Sequence, residues 1–374
     1  MKNIVNLGNV ATYINGYAFK PSDWAEDGTP IIRIQDLTGN SYQMNRFKGI
    51  VDSKYDVNSG DVLISWSASL GVYVWNRGNA VLNQHIFKVV FDKEEVDKDF
   101  FVFQIDNLLK RAANQAHGAT MRHLTKPVFD ALPFYLPDIK TQRLISSKLN
   151  LIVHLIEDHH EQLKKLDELI RSRFIEMFGD LINEPKYPGI KLGSLGVMIT
   201  GGTPSRKHDE YYGGNIPFIS TPCLGSNFIS EKNVQNYLTE AGVKNSATHK
   251  IPPYSLMVGN RVGVGKSSIN TCEMCTNQDI LSFVDIDTSR FDLLFLKKVI
   301  DQYSPYFDEH KRGATIQGVP SKVIKDSMVP DVPLEMQKRY TALVKQSDKS
   351  KMAVQKSLDE LETLKKSLMQ TYFG

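Results

Sequence analysis

Cysteine is scarce and odd in number: Cys223, Cys272 and Cys275 are the only three in 374 residues. That count excludes a disulfide framework and fits a reducing compartment. Cys272 and Cys275 have the spacing of half a zinc site, but no second cysteine pair or histidine pair at ligand spacing follows, so no metal is expected. Long apolar runs are also missing. None approaches the ~18 residues that span a bilayer, and the N-terminal MKNIVNLGNVATYING has neither an apolar core nor a small-residue cleavage site. The expected location is the cytoplasm. Charge of one sign is lacking too: the formal balance is +3, compatible with nucleic acid but too small to argue for it. No Ser/His/Asp order, paired carboxylates or Walker B pattern stands out, which leaves hydrolytic and nucleotide-driven chemistry without residues to carry it.

What is present is repetition. Setting Gly118-Ala-Thr120 on Gly313-Ala-Thr315 aligns the following residues without a gap to Phe178-Gly179 and Phe373-Gly374. Val128/Val323, Gln142/Gln337, Leu163/Leu358, Leu166/Leu361, Leu169/Leu364 and Ser172/Ser367 are identical, and duplication explains them economically. Before this stretch the match is looser, with insertions: Gly8…Ile14-Asn-Gly16 corresponds to Gly193…Ile199-Thr-Gly201, Pro30-Ile-Ile32 to Pro217-Phe-Ile219, and Asn83-Gln84 to Asn277-Gln278. Each half is therefore a variable globular segment followed by a constant tail.

The tails read as long helices. Ile145, Leu149, Ile152, Ile156, His159, Leu163, Leu166, Ile170, Arg173 and Met177 fall at alternating spacings of four and three, the seam of a coiled coil, with no glycine or proline between Thr141 and Phe178. At 1.5 Å per residue such a helix is on the order of 55 Å long. The second tail carries the phase weakly at Ser347 and Lys351, then firmly at Val354, Leu358, Leu361 and Leu368. His159 and Arg173 are expected to set register on the seam or to snorkel from it. The globular segments show short strand-like runs, Pro30–Ile34, Asp61–Ile64, Ile86–Phe91, Ile216–Ile219 and Ile280–Val284, with helical stretches at Phe100–Leu109 and Phe291–Val299. Residues 181–190, LINEPKYPGI, read as a proline-rich linker that breaks the first long helix. The fold class is α+β. The expected boundaries are a globular domain over 1–140, a helix over 141–180, a second domain over 181–335 and a second helix over 336–374.

Two enzyme-like fragments lie in KIPPYSLMVGNRVGVGKSS, residues 250–268. Adenine amino-methyltransferases need Asn or Asp before Pro-Pro-Tyr to accept a hydrogen bond from the amino group; here that place is Ile251, which cannot do so. No βαβ series with a glycine-rich cofactor loop accompanies it. A phosphate-binding loop needs a glycine five residues before its Gly-Lys-Ser glycine, Gly265, and that residue is Asn260. Both fragments are expected to be turns and strand starts, with Tyr254 at a turn or on the surface.

The order ITGGTPSR (199–206), YYGGNIPFIS (211–220), RGATIQGVPSK (312–322) and VPDVPLEMQKR (329–339) resembles the specificity subunit of type I restriction-modification systems, and the resemblance covers essentially the whole chain. The first half departs from it: Gly16-Tyr-Ala-Phe19 replaces Gly-Thr-Pro-Ser, and Pro137-Asp-Ile-Lys-Thr-Gln142 replaces the Pro-Leu-x-x-Gln form. The resemblance implies a non-catalytic reader of duplex DNA. Two target-recognition domains in pseudo-twofold arrangement would each read one half of a bipartite site, joined by two long antiparallel coiled-coil helices acting as a spacer. No cofactor is implied for this chain: S-adenosylmethionine would belong to two modification (methyltransferase) subunits, and ATP with Mg to restriction subunits that could join them. A type IIB-like specificity subunit, a stand-alone adenine methyltransferase and a coiled-coil adaptor are the alternatives.

Sequence reading needs Arg or Lys for guanine, Asn or Gln for adenine, and further cations on phosphate. The expected DNA-facing set is Lys20, Arg33, Gln35, Ser67, Ser69, Arg111, Thr120, Arg122 and His123 in the first domain. In the second it is Thr203, Ser205, Arg206, Lys207, Arg261, Lys266, Lys311, Arg312, Thr315 and Gln317. Gly118 and Gly313 are expected to permit a tight turn there, with Thr120 and Thr315 capping or touching phosphate. Helix pairing is assigned to Ile152, Ile156, Leu163, Leu166, Ile170, Val354, Leu358, Leu361 and Leu368.

Overall fold

The computed structural model describes residues 3–40, 43–115, 125–313 and 317–374. The chain forms two compact units: residues 161–355, and residues 1–160 closed by residues 356–374. Each unit contains the same two sheets. In the first unit the strands Thr12–Asn15, Ile86–Val90, Val62–Ser65 and Gly71–Val74 lie side by side, all antiparallel. In the second unit Val197–Thr200, Ile280–Val284, Leu256–Gly259 and Ser267–Asn270 repeat that order, and Phe228–Ile229 adds a parallel edge. The other sheet runs Arg46–Phe47, Thr29–Ile32, Ala80–Leu82 and Asp56–Val57 in one unit, matched by Asn236–Leu238, Tyr212–Ile219, Met274–Thr276 and Lys250–Ile251 in the other. The fold is α+β, and the duplication seen in the tails extends through the globular parts. One difference from the sequence reading is local: Ile34 does not end a strand but opens a short helix, Ile34–Leu37, because the Asp36 carboxylate accepts from the Arg33 backbone N–H at 2.8 Å and caps that turn.

Two helices of 40 residues each, Ile139–Phe178 and Leu334–Phe373, follow the sheets. At 1.5 Å per residue each is about 60 Å long. In the first unit Ile145 and Leu149 share a core with Phe373, while His159 Nε2 lies 3.0 Å from Ser357 Oγ. In the second unit Phe178 packs edge-on against Tyr340 at 5.6 Å, while Lys351 pairs with Asp167. Rising numbers on one helix meet falling numbers on the other, so the segments run antiparallel in both units. Under the repeat Ile145 corresponds to Tyr340 and Phe178 to Phe373, so one core arrangement is built twice with the helices exchanging places.

The seam residues differ in burial along the helices. Ile152, Ile170 and Leu358 are buried, and Ile156, Leu163, Leu166, Val354, Leu361 and Leu368 are half-buried. Arg173 is not on the seam: it is exposed and its Nη1 donates to Glu176 at 2.5 Å. Phe174 and Phe178, four and eight residues after Ile170, are fully buried in its place. A straight helix turns 3.6 residues at a time and drifts off a 3.5-residue seam, so steps of four bring the aromatics onto the domain core. The helix stops at Gly179, whose φ of 84° suits a residue without a side chain and whose Cβ would sit 2.4 Å from the Glu184 carbonyl oxygen. The prolines expected to break it come later. Nor is the following segment a loose linker: Gly179–Asp180 pairs with Glu184–Pro185, and Gly189–Lys191 with Met328–Pro330.

The glutamine shared by both tails has a structural task. Gln337, fully buried, accepts from the Asp292 N–H at 2.9 Å and donates to the carbonyls of Val332 at 2.9 Å and Arg290 at 3.1 Å. Gln142 makes the matching bonds to Asp97, Pro137 and Glu95. Each clamps the start of a long helix to the N-terminus of the helix under the sheet. Gln337→Ala leaves one buried and two part-buried backbone groups without their partner, and since the part-buried ones can turn to water the expected destabilisation of the second unit is roughly 2–4 kcal/mol in denaturant melts.

Candidate nucleic-acid interface

Both units carry the same tightly built junction where the first strand ends. Gly16 N donates to Ile86 O at 3.1 Å and Gly201 N to Ile280 O at 3.2 Å; the next residue, Tyr17 or Gly202, donates to Leu82 O at 2.8 Å or Thr276 O at 2.9 Å. A Cβ on Gly16 would lie 2.1 Å from Asn83 O, and on Gly201 2.2 Å from Asn277 O. Glycine is required here by backbone approach. Asn83 N donates to Ile32 O and Asn277 N to Ile219 O, each extending the parallel pairing of one sheet just before the chain passes into the strand Ile86–Val90 or Ile280–Val284 of the other. His85, directly after Gln84, is held at φ 74°, a left-handed conformation costing a non-glycine residue of order 1–3 kcal/mol.

In the second unit this junction stands between two polar hollows. One, about 680 Å³, is lined by Thr203, Arg206, Tyr212, Asn236, Asn277 and Gln278 among others. The second, about 410 Å³, is lined by Thr200, Asn260, Arg261, Gln278, Arg312 and Ser321 among others. Gln278 belongs to both, with Arg206 on one side and Arg261 and Arg312 on the other. Thr203 Oγ1 donates to Gln278 Oε1 at 2.5 Å, and Arg261 Nη1 lies 3.5 Å from Asp279 Oδ1. Among the described residues nothing donates to the buried Asn260 Oδ1. A backbone bridge pairs Arg312 with Gly318, and Gly313 has a φ of 120°.

Thr203, Ser205, Arg206, Lys207, Arg261, Lys266, Arg312 and Gln317 are exposed; Lys311 is half-buried and ion-paired with Asp308 at 2.5 Å. Thr203, Arg206, Arg261 and Arg312 come together around Gln278. Lys266 lines a different hollow, with Lys297, Lys298 and Asp301. In the first unit Lys20 and Ser69 are exposed, Gln35 is half-buried, and Arg33 donates to Asn45 Oδ1 at 3.1 Å with its guanidinium 5.2 Å over the Trp24 ring. Two expectations are corrected. Ser67 is 5% exposed, sealed in the turn after Val62–Ser65, and has no surface for DNA. Arg111 Nη1 is spent on the Phe373 carbonyl at 3.2 Å, beside Asn107 Nδ2, and closes the end of the second long helix. Gly118, Thr120, Arg122, His123 and Thr315 lie outside the described residues. Gln278 was absent from the expected set, although its repetition as Gln84 was the signal for it.

The phosphate-loop-like segment leads into a strand, Ser267–Asn270, where a phosphate loop needs a helix N-terminus. Ser267 Oγ donates to Asp301 at 3.2 Å and Ser268 Oγ to Ser226 O at 2.7 Å, so both hydroxyls are occupied by the protein. Burial depresses the Lys297 ammonium below the usual lysine range, and both Asp301 oxygens, 2.8 and 2.9 Å away, hold it. Ile251 fills a core position, and Tyr254, at φ 62°, is exposed at a turn. Burial pushes the Cys275 thiol up to about 11 and also raises Cys272.

The model of the type I restriction-modification DNA specificity domain matches this sequence twice, over residues 2–168 and 187–363. The chain belongs to that family. Specificity-domain relatives include the type I restriction enzyme EcoBI specificity subunit of Escherichia coli, 25% identical over 170 residues, covering 45% of this chain and 35% of that protein. The HindI specificity subunit of Haemophilus influenzae is 29% identical over 124 residues, covering 33% of this chain and 27% of that protein. The matched stretches thus span about a third of those relatives' length. Among solved structures, a chain from a study of complex assembly and conformational transition of the type I R-M system aligns with a TM-score of 0.63 at 15% identity, over 99% of this chain and 97% of that one. The type I S subunit from M. genitalium aligns with a TM-score of 0.59 at 12% identity, over 100% and 96%. These likenesses show the fold of a specificity subunit.

Proposed function

We propose that this chain is the sequence-reading subunit of a type I restriction-modification complex, itself non-catalytic, which directs partner subunits to methylate adenine or to cleave unmodified DNA. The observation that carries the reading is the Gln278 ridge, where an amide and three arginines share one polar surface on a specificity-domain fold. Amides and guanidiniums are the side chains that read adenine and guanine edges, and cations position the backbone. We take residues 1–140 and 181–335 as the two target-recognition domains, and 141–180 and 336–374 as the spacer helices. The proposed DNA-facing set keeps Lys20, Arg33, Gln35, Ser69 and the second-domain residues, gains Gln84 and Gln278, and loses Ser67 and Arg111.

The partners in this reading are double-stranded DNA and two modification subunits, with restriction subunits joining them. Two equal docking positions are supported by a repeated apolar spot: Leu169 is 50% exposed and its counterpart Leu364 is 46% exposed. A single exposed leucine is ordinary, but one retained at the same position of both tails is not required by either core. The proposed location is the cytoplasm, and no helix of the described residues is long and apolar enough to cross a membrane.

Co-expression with its methyltransferase partner followed by methylome sequencing is the test. The expected result is a two-part motif with methyladenine on opposite strands in its two halves, and no binding of S-adenosylmethionine by the isolated chain. Methylation by the chain alone would replace this reading with that of a stand-alone enzyme.

A further inference from the structure

The two recognition domains have diverged over most of the surface around the junction. Where the second unit has Thr203, Arg206 and Arg261, the first presents Ala18 and aromatic groups: Tyr17 packs on Phe19 and Tyr55, and Trp66 lies between His85 and Phe87. Yet Asn-Gln is the same in both, on the same backbone scaffold. The asparagine has a structural reason, since its carbonyl meets the junction glycine and its N–H extends the parallel pairing at the edge of one sheet. The glutamine side chain has none. Among the described residues Gln84, half-buried, has no side-chain hydrogen bond, and Gln278 uses only one lone pair of Oε1, toward Thr203. An amide with bonding capacity left over at the same point of two diverged readers is explained by something outside the chain.

Resting on the function proposed above, we infer that Gln84 and Gln278 are equivalent base readers, each contacting an adenine–thymine pair present in both half-sites. The chemistry selects the base. A glutamine amide donates through Nε2 to adenine N7 and accepts through Oε1 from adenine N6–H, a two-bond match no other base offers in the major groove. Gln278 Oε1 has a second lone pair for this while Thr203 occupies the first. The retention selects the sharing: a reader kept while its neighbours change must read what the two half-sites have in common. The pair read is not the one methylated, since a base undergoing chemistry leaves the stack and is not read in the groove. Gln278, between Arg206 and the Arg261–Arg312 side, is flanked by cations that can hold the backbone while it reads.

The experiment is methylome sequencing with the partner methyltransferase for the unaltered chain, Gln84→Ala, Gln278→Ala and the isosteric Gln84→Glu and Gln278→Glu. Each alanine variant is expected to relax one position of one half-site, with methylation of sites bearing another base there rising at least ~10-fold. The relaxed pair should be adenine–thymine for both residues. Each glutamate variant, which can only accept, should move the preference at that position toward cytosine, whose N4 donates. An intact motif in the unaltered chain with no relaxed position in the variants overturns this assignment alone, as does relaxation of chemically different pairs. Even loss of methylation at every site in both the alanine and glutamate variants shows a scaffold role and overturns it too. If the unaltered chain yields no two-part motif, the functional reading beneath it falls.

Discussion

Replacing Arg206, Arg261 and Arg312 together by alanine is expected to weaken DNA binding by at least ~100-fold and to make its salt dependence shallower by roughly three in slope. The first number is conservative: three lost charge-assisted contacts at ~1–3 kcal/mol each would exceed it. Arg261 adds a second effect. Its guanidinium faces the Asp279 carboxylate at 3.5 Å, and without it that carboxylate is left at the proposed interface, where phosphate would repel it. Asn277 Nδ2, 3.1 Å from Asp279, offsets only part of the charge because it is a neutral donor. Retention on a cognate duplex between roughly 50 and 200 mM salt, with the methyltransferase partner present, measures both quantities. Lys191→Ala serves as a control, since Lys191 is already neutralised by Asp326 at 2.8 Å. Unchanged affinity and slope in the triple variant would remove the second domain's proposed interface.

Adding four residues to both long helices, after His160 and after Gln355, is expected to widen the unspecified gap of the recognised site by one or two base pairs without changing either half-sequence. His160 and Gln355 are counterparts in the repeat, so the insertion treats both helices alike. Four residues lengthen a helix by ~6 Å and turn it by about one turn plus 40°, which nearly preserves the buried face. Duplex DNA rises about 3.4 Å per base pair, the same spacing that makes half-sites one turn apart lie ~34–36 Å from each other. Methylome sequencing reads the outcome directly. A gap of unchanged length with full activity, or altered half-sequences, would show that the helix pair does not set the spacing.

Much of this molecule was visible in its sequence because its determinants are local. A helix free of glycine and proline, with Ile145, Leu149 and Ile152 on one stripe, needs no partner to be recognised. The same holds for strands such as Ile280–Val284, apolar but for Ser282 and buried on both faces. What escaped was decided by distance. Arg111 looks like a phosphate contact until the Phe373 carbonyl, 262 residues away, arrives to use it. Ser67 looks exposed because it sits in a turn, yet it is buried while Ala68 and Ser69 after it are exposed. Arg173 was misplaced because a heptad count assumes a partner helix all along, while its last turns pack on a domain core and step by four to Phe174 and Phe178. Gln278 was legible in another sense: its repetition marked it, but a residue shared by two halves reads first as scaffold, and only its unused amide separates it from the asparagine beside it.

The closure of the first unit by residues 356–374 bears on how the chain is made. A ribosome builds residues 1–160 first, and with them both sheets of that unit. Phe373, which packs on Phe100 at 5.4 Å in a core with Ile145 and Leu149, leaves it more than 200 residues later. The second unit, unbroken from 161 to 355, can complete its core earlier. The order of synthesis and the order of completion are thus reversed. At ~5–20 residues per second, the N-terminal half waits roughly 10–40 seconds with an apolar surface open to the cell before its own last element is delivered.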